Sequence, residues 1–141
     1  MKQRLHLAGI LIAAAALSGC GTVVRSLPLT DSATATAPGG VKLYFGAQAH
    51  PALERQIGRR TESARLARGT AVEQAVCDQA LDTALGSLRA YAARHGGNAV
   101  INITTGFHST RSDSETEYTC GVSGSAGAIS VAGDVVVLGT H

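Results

Sequence analysis

The sequence predicts an α+β fold: a small antiparallel sheet packed against one main helix at about residues 71–95. Three observations predict it. Residues 41–45 alternate as a half-buried strand does, apolar residues from Val72 to Ala92 recur at helical spacing, and β-rich segments return after Gly96-Gly97. Strands, then one helix, then strands is the order of a helix laid over one face of an antiparallel sheet.

The first strand is VKLYF, with Val41, Leu43 and Phe45 on one face. A loop over 46–51 breaks at Pro51. Residues 52–70 read as two short strands, around 52–58 and 63–67. Thr70 and Glu73 have the spacing of a capping box, and the helix that follows carries Cys77, Leu81, Ala84, Leu88 and Ala92 on one stripe. Gly96-Gly97 stops it, since glycine suits the left-handed cap position. In the strand NAVINITT (98–105), Ala99, Ile101, Ile103 and Thr105 share a face. Residues 108–114 are polar and turn-like. Over 115–120, Thr116, Tyr118 and Cys120 share one face while Glu115, Glu117 and Thr119 share the other. A Gly/Ser-rich loop or hairpin turn at 121–127 leads to a last strand over 128–138, with Gly133-Asp134 as a kink or turn. Residues 41–141 make one domain. Apolar residues are 45% of the chain but only five residues are aromatic, so the core is thin and gains from a staple.

The first forty residues read differently. Lys2 and Arg4 precede an apolar run over 7–17, too short for the roughly 20 residues that span a bilayer. Its length suits a signal peptide, 1–19. The tetrapeptide Leu17-Ser18-Gly19-Cys20 resembles the bacterial lipobox. That resemblance implies cleavage before Cys20, a diacylglycerol thioether on its sulfur and acylation of the new amino group. Two or three acyl chains, at about 0.8 kcal/mol per buried CH₂, anchor a protein durably. Gly21, where an Asp favours inner-membrane retention in enteric bacteria, resembles the outer-membrane case. Residues 20–40, the lipidated cysteine and a Pro/Gly/Ala-rich stretch, read as a flexible tether with a root-mean-square reach of about 25 Å.

With Lys2 and Arg4 removed, ten basic residues face ten acidic ones. That balance argues against bulk nucleic-acid binding. Five arginines, Arg55, Arg59, Arg60, Arg65 and Arg68, crowd one segment against Glu54 and Glu62. They read first as a solvated face, and otherwise as a surface for an anionic partner: lipid headgroups, a glycan or an acidic protein.

Cys77 lies on the apolar helix stripe, and Cys120 shares a strand face with Tyr118. If both faces form the core, the sulfurs meet between helix and sheet, and export places them in an oxidising compartment. A Cys77–Cys120 disulfide is predicted. It would contribute about 4 kcal/mol in the chain-entropy model. No Cys-x-x-Cys, P-loop, Gly-x-Ser-x-Gly or His-Glu-x-x-His is present. Beyond the signal segment, the histidines His50, His95, His108 and His141 are scattered, and His95 complements a helix C-terminus. Asp113, Glu115 and Glu117 are too few for a Ca²⁺ loop. No catalytic residue, metal or cofactor is expected.

VKLYFGAQ, the Cys77 helix, GGNAVINI (96–103), TEYTC (116–120) and AGDVVVL (132–138) resemble a family of small exported proteobacterial proteins often labelled "excinuclease ATPase subunit". There the pattern runs VKFYF, a Cys-bearing helix, GANAVVNI, TEYEC and a closing Lys-Gly-Asp strand. The resemblance covers 41–138. Gly97 departs from the usual Ala, and the 106–112 loop lacks a Tyr-Lys-Lys. The label names an activity that needs a P-loop and a cytoplasmic address, and the resemblance carries over no catalytic residue. At the level of fold, the helix ending in Gly-[Ala/Gly]-Asn-Ala-Val is similar to the stress-sensing lipoprotein RcsF and to YbjQ-like domains. That similarity implies an interaction or sensing role. The expectation is a non-enzymatic envelope lipoprotein, facing the periplasm from the outer membrane, with an envelope protein or polymer as partner. A small-ligand or metal-binding module, or an enzyme acting on envelope material, is the alternative.

Overall fold

The computed structural model describes residues 21–36 and 40–139. The expected signal peptide, the lipobox-like tetrapeptide ending at Cys20, and His141 lie outside these residues. The chain order is β1 (Val23–Pro28), α1 (Asp31–Thr34), β2 (Lys42–Phe45), β3 (Leu53–Ala67), α2 (Glu73–Arg94), β4 (Ala99–Phe107), β5 (Thr110–Ser112), β6 (Glu117–Val122) and β7 (Ala126–Leu138). Seven strands form one curled sheet in the order β1-β6-β7-β4-β2, with β3 on the far side of β7 and β5 beside β4. The fold is α+β as the periodicity predicts.

Helix α2 lies over β3 and β7. Leu81, Leu85 and Leu88 are fully buried, as are Val76, Cys77 and the alanines 80, 84 and 92. The alanines let the helix approach the sheet, and each buried leucine contributes about 2–3 kcal/mol relative to exposure. From the sheet, Phe45, Val100, Ile103, Tyr118, Val131 and Val135 complete this core. Gly96, at φ +79°, ends α2 as the sequence predicts. The N-cap differs: it falls on Val72 and has no side-chain hydrogen bond, so the Thr70–Glu73 capping box does not form.

The predicted disulfide joins Cys77 of α2 to Cys120 of β6, with Cα atoms 6.0 Å apart. Beside it the Tyr118 hydroxyl donates to the Asp78 carboxylate. Burial, then the bond to Asp78, pushes the Tyr118 phenol well above its usual range. Among the described residues, no buried side-chain polar atom lacks a partner.

Four strand expectations change. Ala99 and Ile101 do not share a face with Ile103 and Thr105: the register shift at Asn102 leaves the first pair in a separate cluster with Val136 and Leu138 and turns the second pair towards the helix side. Residues 53–67 form one strand, not two, because β7 offers a continuous edge; register shifts near Arg55 and Gly58 absorb the interruption. The sheet is not wholly antiparallel, since β2 runs parallel to β4 after α2 carries the chain back. Gly133 does not turn the chain. It continues β7, and its missing side chain admits β4, for a methyl there would lie 2.5 Å from Val100 and 3.0 Å from Ile103. Of the loop or hairpin turn expected at 121–127, the structure has the hairpin turn, a tight one between β6 and β7 closed by Ser123 N–H donating to the Ala126 carbonyl at 2.9 Å.

The flexible tether expected over 20–40 is also corrected over its described part. Residues 23–28 add an edge strand to β6, with Val23 opposite Val122 and Pro28 opposite Glu117. The short helix α1 then docks on α2. Ala33 is fully buried, Ser32 donates to Asp82 at 3.1 Å, and Arg89 donates to the carbonyls of Ala33 and Ala35 at 3.1 and 2.9 Å. Composition reads this stretch as loose because it lacks a period of its own; the free edge of β6 gives it one. Arg89 is drawn into the clasp far enough that burial lowers its pKa, with Asp82 opposing the change.

Candidate functional site: the open face of the sheet

Residues opposite one another in antiparallel strands point to the same face. Ala64 and Leu66 pack towards α2, so Arg59, Thr61, Ser63 and Arg65 alternate onto the face away from the helix. Opposite them in β7 stand Asp134, Ala132, Ser130 and Ala128. Gly106 of β4 lies opposite Ser130 on one side and Arg111 of β5 on the other. Between Asp134 and Ala128 this open face is floored by small residues, while at the other end of the strands Ala99, Ile101, Val136 and Leu138 form a second apolar cluster with Tyr44 packed on it.

The curl of the sheet makes two hollows there. The larger, about 380 Å³, is lined by Ser63, Arg65, Gly106, Phe107, His108, Ala128 and Ser130, with Ala64 and Ile129 below. Two glycines shape it. The Phe107 ring rests against the bare Cα of Gly121, where any side chain would collide with it. The Arg111 stem covers Gly106, whose added methyl would lie 3.0 Å from it. Phe107 and His108 meet edge to face at 4.1 Å. His108 holds φ at +51° because β4 and β5 are joined through a tight turn.

The second hollow, about 320 Å³, is lined by Gly46, Ala47, Arg59, Asn102, Thr104 and Asp113. Most of its polar groups are tied to Asp134 or to one another. Arg59 pairs with Asp134 at 3.2 Å, and Asn102 donates to the other Asp134 oxygen at 2.9 Å. Asn102 sits at φ +54° at the register shift of β4, a conformation asparagine tolerates well. An anion here would have to displace Asp134.

The five arginines singled out in the sequence do not form one surface. Arg60 lies over the Tyr91 ring at 4.4 Å, on the helix side, and bonds Glu62 at 2.9 Å. Arg68 donates to the carbonyls of Ala71 and Ser123 at 2.7 and 2.9 Å and acts as a clip. Arg55 reaches the C-terminal end of α2 near Gly96. Only Arg59 and Arg65 front the open face, and Arg59 is already paired. Arg111 and His108 join Arg65 there, and neither was a candidate from sequence. The signal was the pair of glycines, Gly106 and Gly121, which mark where side chains cross over; it becomes readable only once strand register is known. His95 behaves as expected, its Nδ1 lying 2.8 Å from the Tyr91 carbonyl. Among the described residues no group of three or more His, Cys, Asp or Glu could hold a metal ion, and no helix is long and apolar enough to cross a membrane. No protein-family model matches the chain, nor does any curated protein or solved structure.

Proposed function

We propose that this chain is a lipid-anchored envelope protein whose disulfide-stapled domain is a non-enzymatic interaction module, engaging an anionic partner through the open face. The observation that carries the binding reading is the hollow beside Arg65, with Arg111 and His108 at its rim and Phe107 in its wall. Guanidinium groups that have no side-chain partner among the described residues, set over an apolar floor, favour a ligand with both an anionic and an apolar part. The lipid anchor rests on Cys20 and its lipobox, and the oxidising compartment is in keeping with the disulfide.

The test is site-directed photo-crosslinking in intact cells. A crosslinker at Ser63, on the open face, is compared with one at Thr83, on the outer side of α2. A partner captured from Ser63 alone, and lost on Arg65→Glu and in high salt, supports the reading. Equal capture from both positions, or capture indifferent to Arg65→Glu, overturns it. A second reading, a small-ligand carrier, is favoured by the size of the hollow, which lies in the range of small-molecule sites; native mass spectrometry of the purified chain would show a bound species.

A further inference from the structure

Among the described residues four large apolar side chains are exposed: Val23, Val24, Leu53 and Val72. Three of them lie at one end of the molecule. β1 begins there at Val23, directly opposite Val122, where β6 ends. β3 ends and β7 begins there, since Ala67 pairs with Ala126. The first turn of α2 follows Val72, and Arg25 bonds Glu73 at 3.0 Å, which draws residues 23–25 towards it. Arg68 closes the pole, its backbone N–H donating to the Ser125 carbonyl at 2.8 Å. Leu53, opposite Leu138, is at the other end of the strands.

Chain order names the occupant. Cys20 precedes Val23 by three residues. An extended backbone of that length spans at most about 11 Å. A lipid on Cys20 therefore holds this pole, and no other part of the domain, close to the bilayer. Exposed valines suit such a boundary, where apolar side chains enter the acyl edge, and the Arg25–Glu73 pair and the Arg68 clip hold the segments that carry them in place.

We infer that the pole formed by Val23, Val24 and Val72 rests on the lipid surface that anchors Cys20. The inference depends on the lipoprotein reading above. It fixes an orientation. The sheet stands upright, the open face looks sideways along the membrane, and the hollow at Arg65, two residues from the end of β3, lies in the half nearer the lipid.

The experiment uses the full chain, extracted from cells and reconstituted into vesicles of phosphatidylethanolamine and phosphatidylglycerol. A spin label is placed at Gly124→Cys, in the turn at this pole where a side chain meets open space, or at Ala93→Cys. Ala93 lies roughly 30 Å along α2 from Val72. The label at 124 should be shielded from a water-soluble nickel complex and open to dissolved oxygen, and the label at 93 should show the reverse. Val72→Asp should return position 124 to the accessibility of position 93. Mass spectrometry of Cys20 separates the two readings. Lipid present with both labels equally open to nickel overturns the docked pole and leaves the anchor. Lipid absent with position 124 still shielded overturns the anchor and leaves the pole. Lipid absent with both labels open to nickel overturns both.

Discussion

The two faces of the sheet are built on opposite terms. Towards α2, side chains are large and buried, and a disulfide crosses from helix to strand. Away from it, a small apolar cluster of Ala99, Ile101, Val136 and Leu138 occupies one end, and the rest is shallow hollows floored by small residues with charged groups around them. Stability comes from the first face, which leaves the second free to differ without unfolding the domain. Substitutions on the two faces should therefore separate stability from binding.

The largest effect should come from the staple. Replacing both Cys77 and Cys120 by Ala should cost about 4 kcal/mol for the 43-residue separation, read as a fall in the urea midpoint. Unchanged unfolding would mean the helix face holds without it. Leu85→Ala should cost about 3 kcal/mol through the cavity it leaves. Gly133→Ala should cost about 1–3 kcal/mol by forcing its methyl onto Val100, even though the residue gains hydrophobic surface.

Tyr118→Phe should cost about 1.5–3 kcal/mol, the value of a hydrogen bond to a charged group. It also has a pH signature. The folded-state pKa of Tyr118 is raised, so its contribution is fully present below the unfolded value of about 10 and is lost as pH rises beyond it. Wild type should lose stability above pH ~10 more steeply than Tyr118→Phe. Parallel alkaline curves would mean the phenol ionises as freely in the fold as outside it.

The smallest effect on stability should come from the open face. Arg65→Ala and Arg111→Ala should each change stability by less than about 0.5 kcal/mol while weakening capture of an anionic partner from Ser63. A large loss of stability at either position would mean the open face is structural after all, and the contrast between the faces would fail.

Particular elements show what could be read in advance. The stripe Cys77, Leu81, Ala84, Leu88 and Ala92 has a period that only a helix satisfies, so α2 was legible residue by residue, and Gly96 marked its end. The sharing of a face by Tyr118 and Cys120 was enough to place the disulfide. By contrast, 53–67 looked broken because its alternation slips near Gly58, and Gly133 looked like a turn because a glycine needed for close approach reads the same as one needed for bending. Arg59, Arg60, Arg65 and Arg68 formed one charged run in sequence but went to different faces and tasks.

The sequence alone determined the elements that bury an apolar stripe of their own and the pairing of the two cysteines, because local periodicity decides which side chains leave water. Only the tertiary structure decided the rest. A strand edge on β6 turned residues 23–28 from an apparent tether into sheet, β7 held β3 together as one strand, and strand register set Arg111 and His108 beside Arg65. Those outcomes depend on which unpaired backbone edges and which faces distant segments offer one another, and no window of neighbouring residues contains that information.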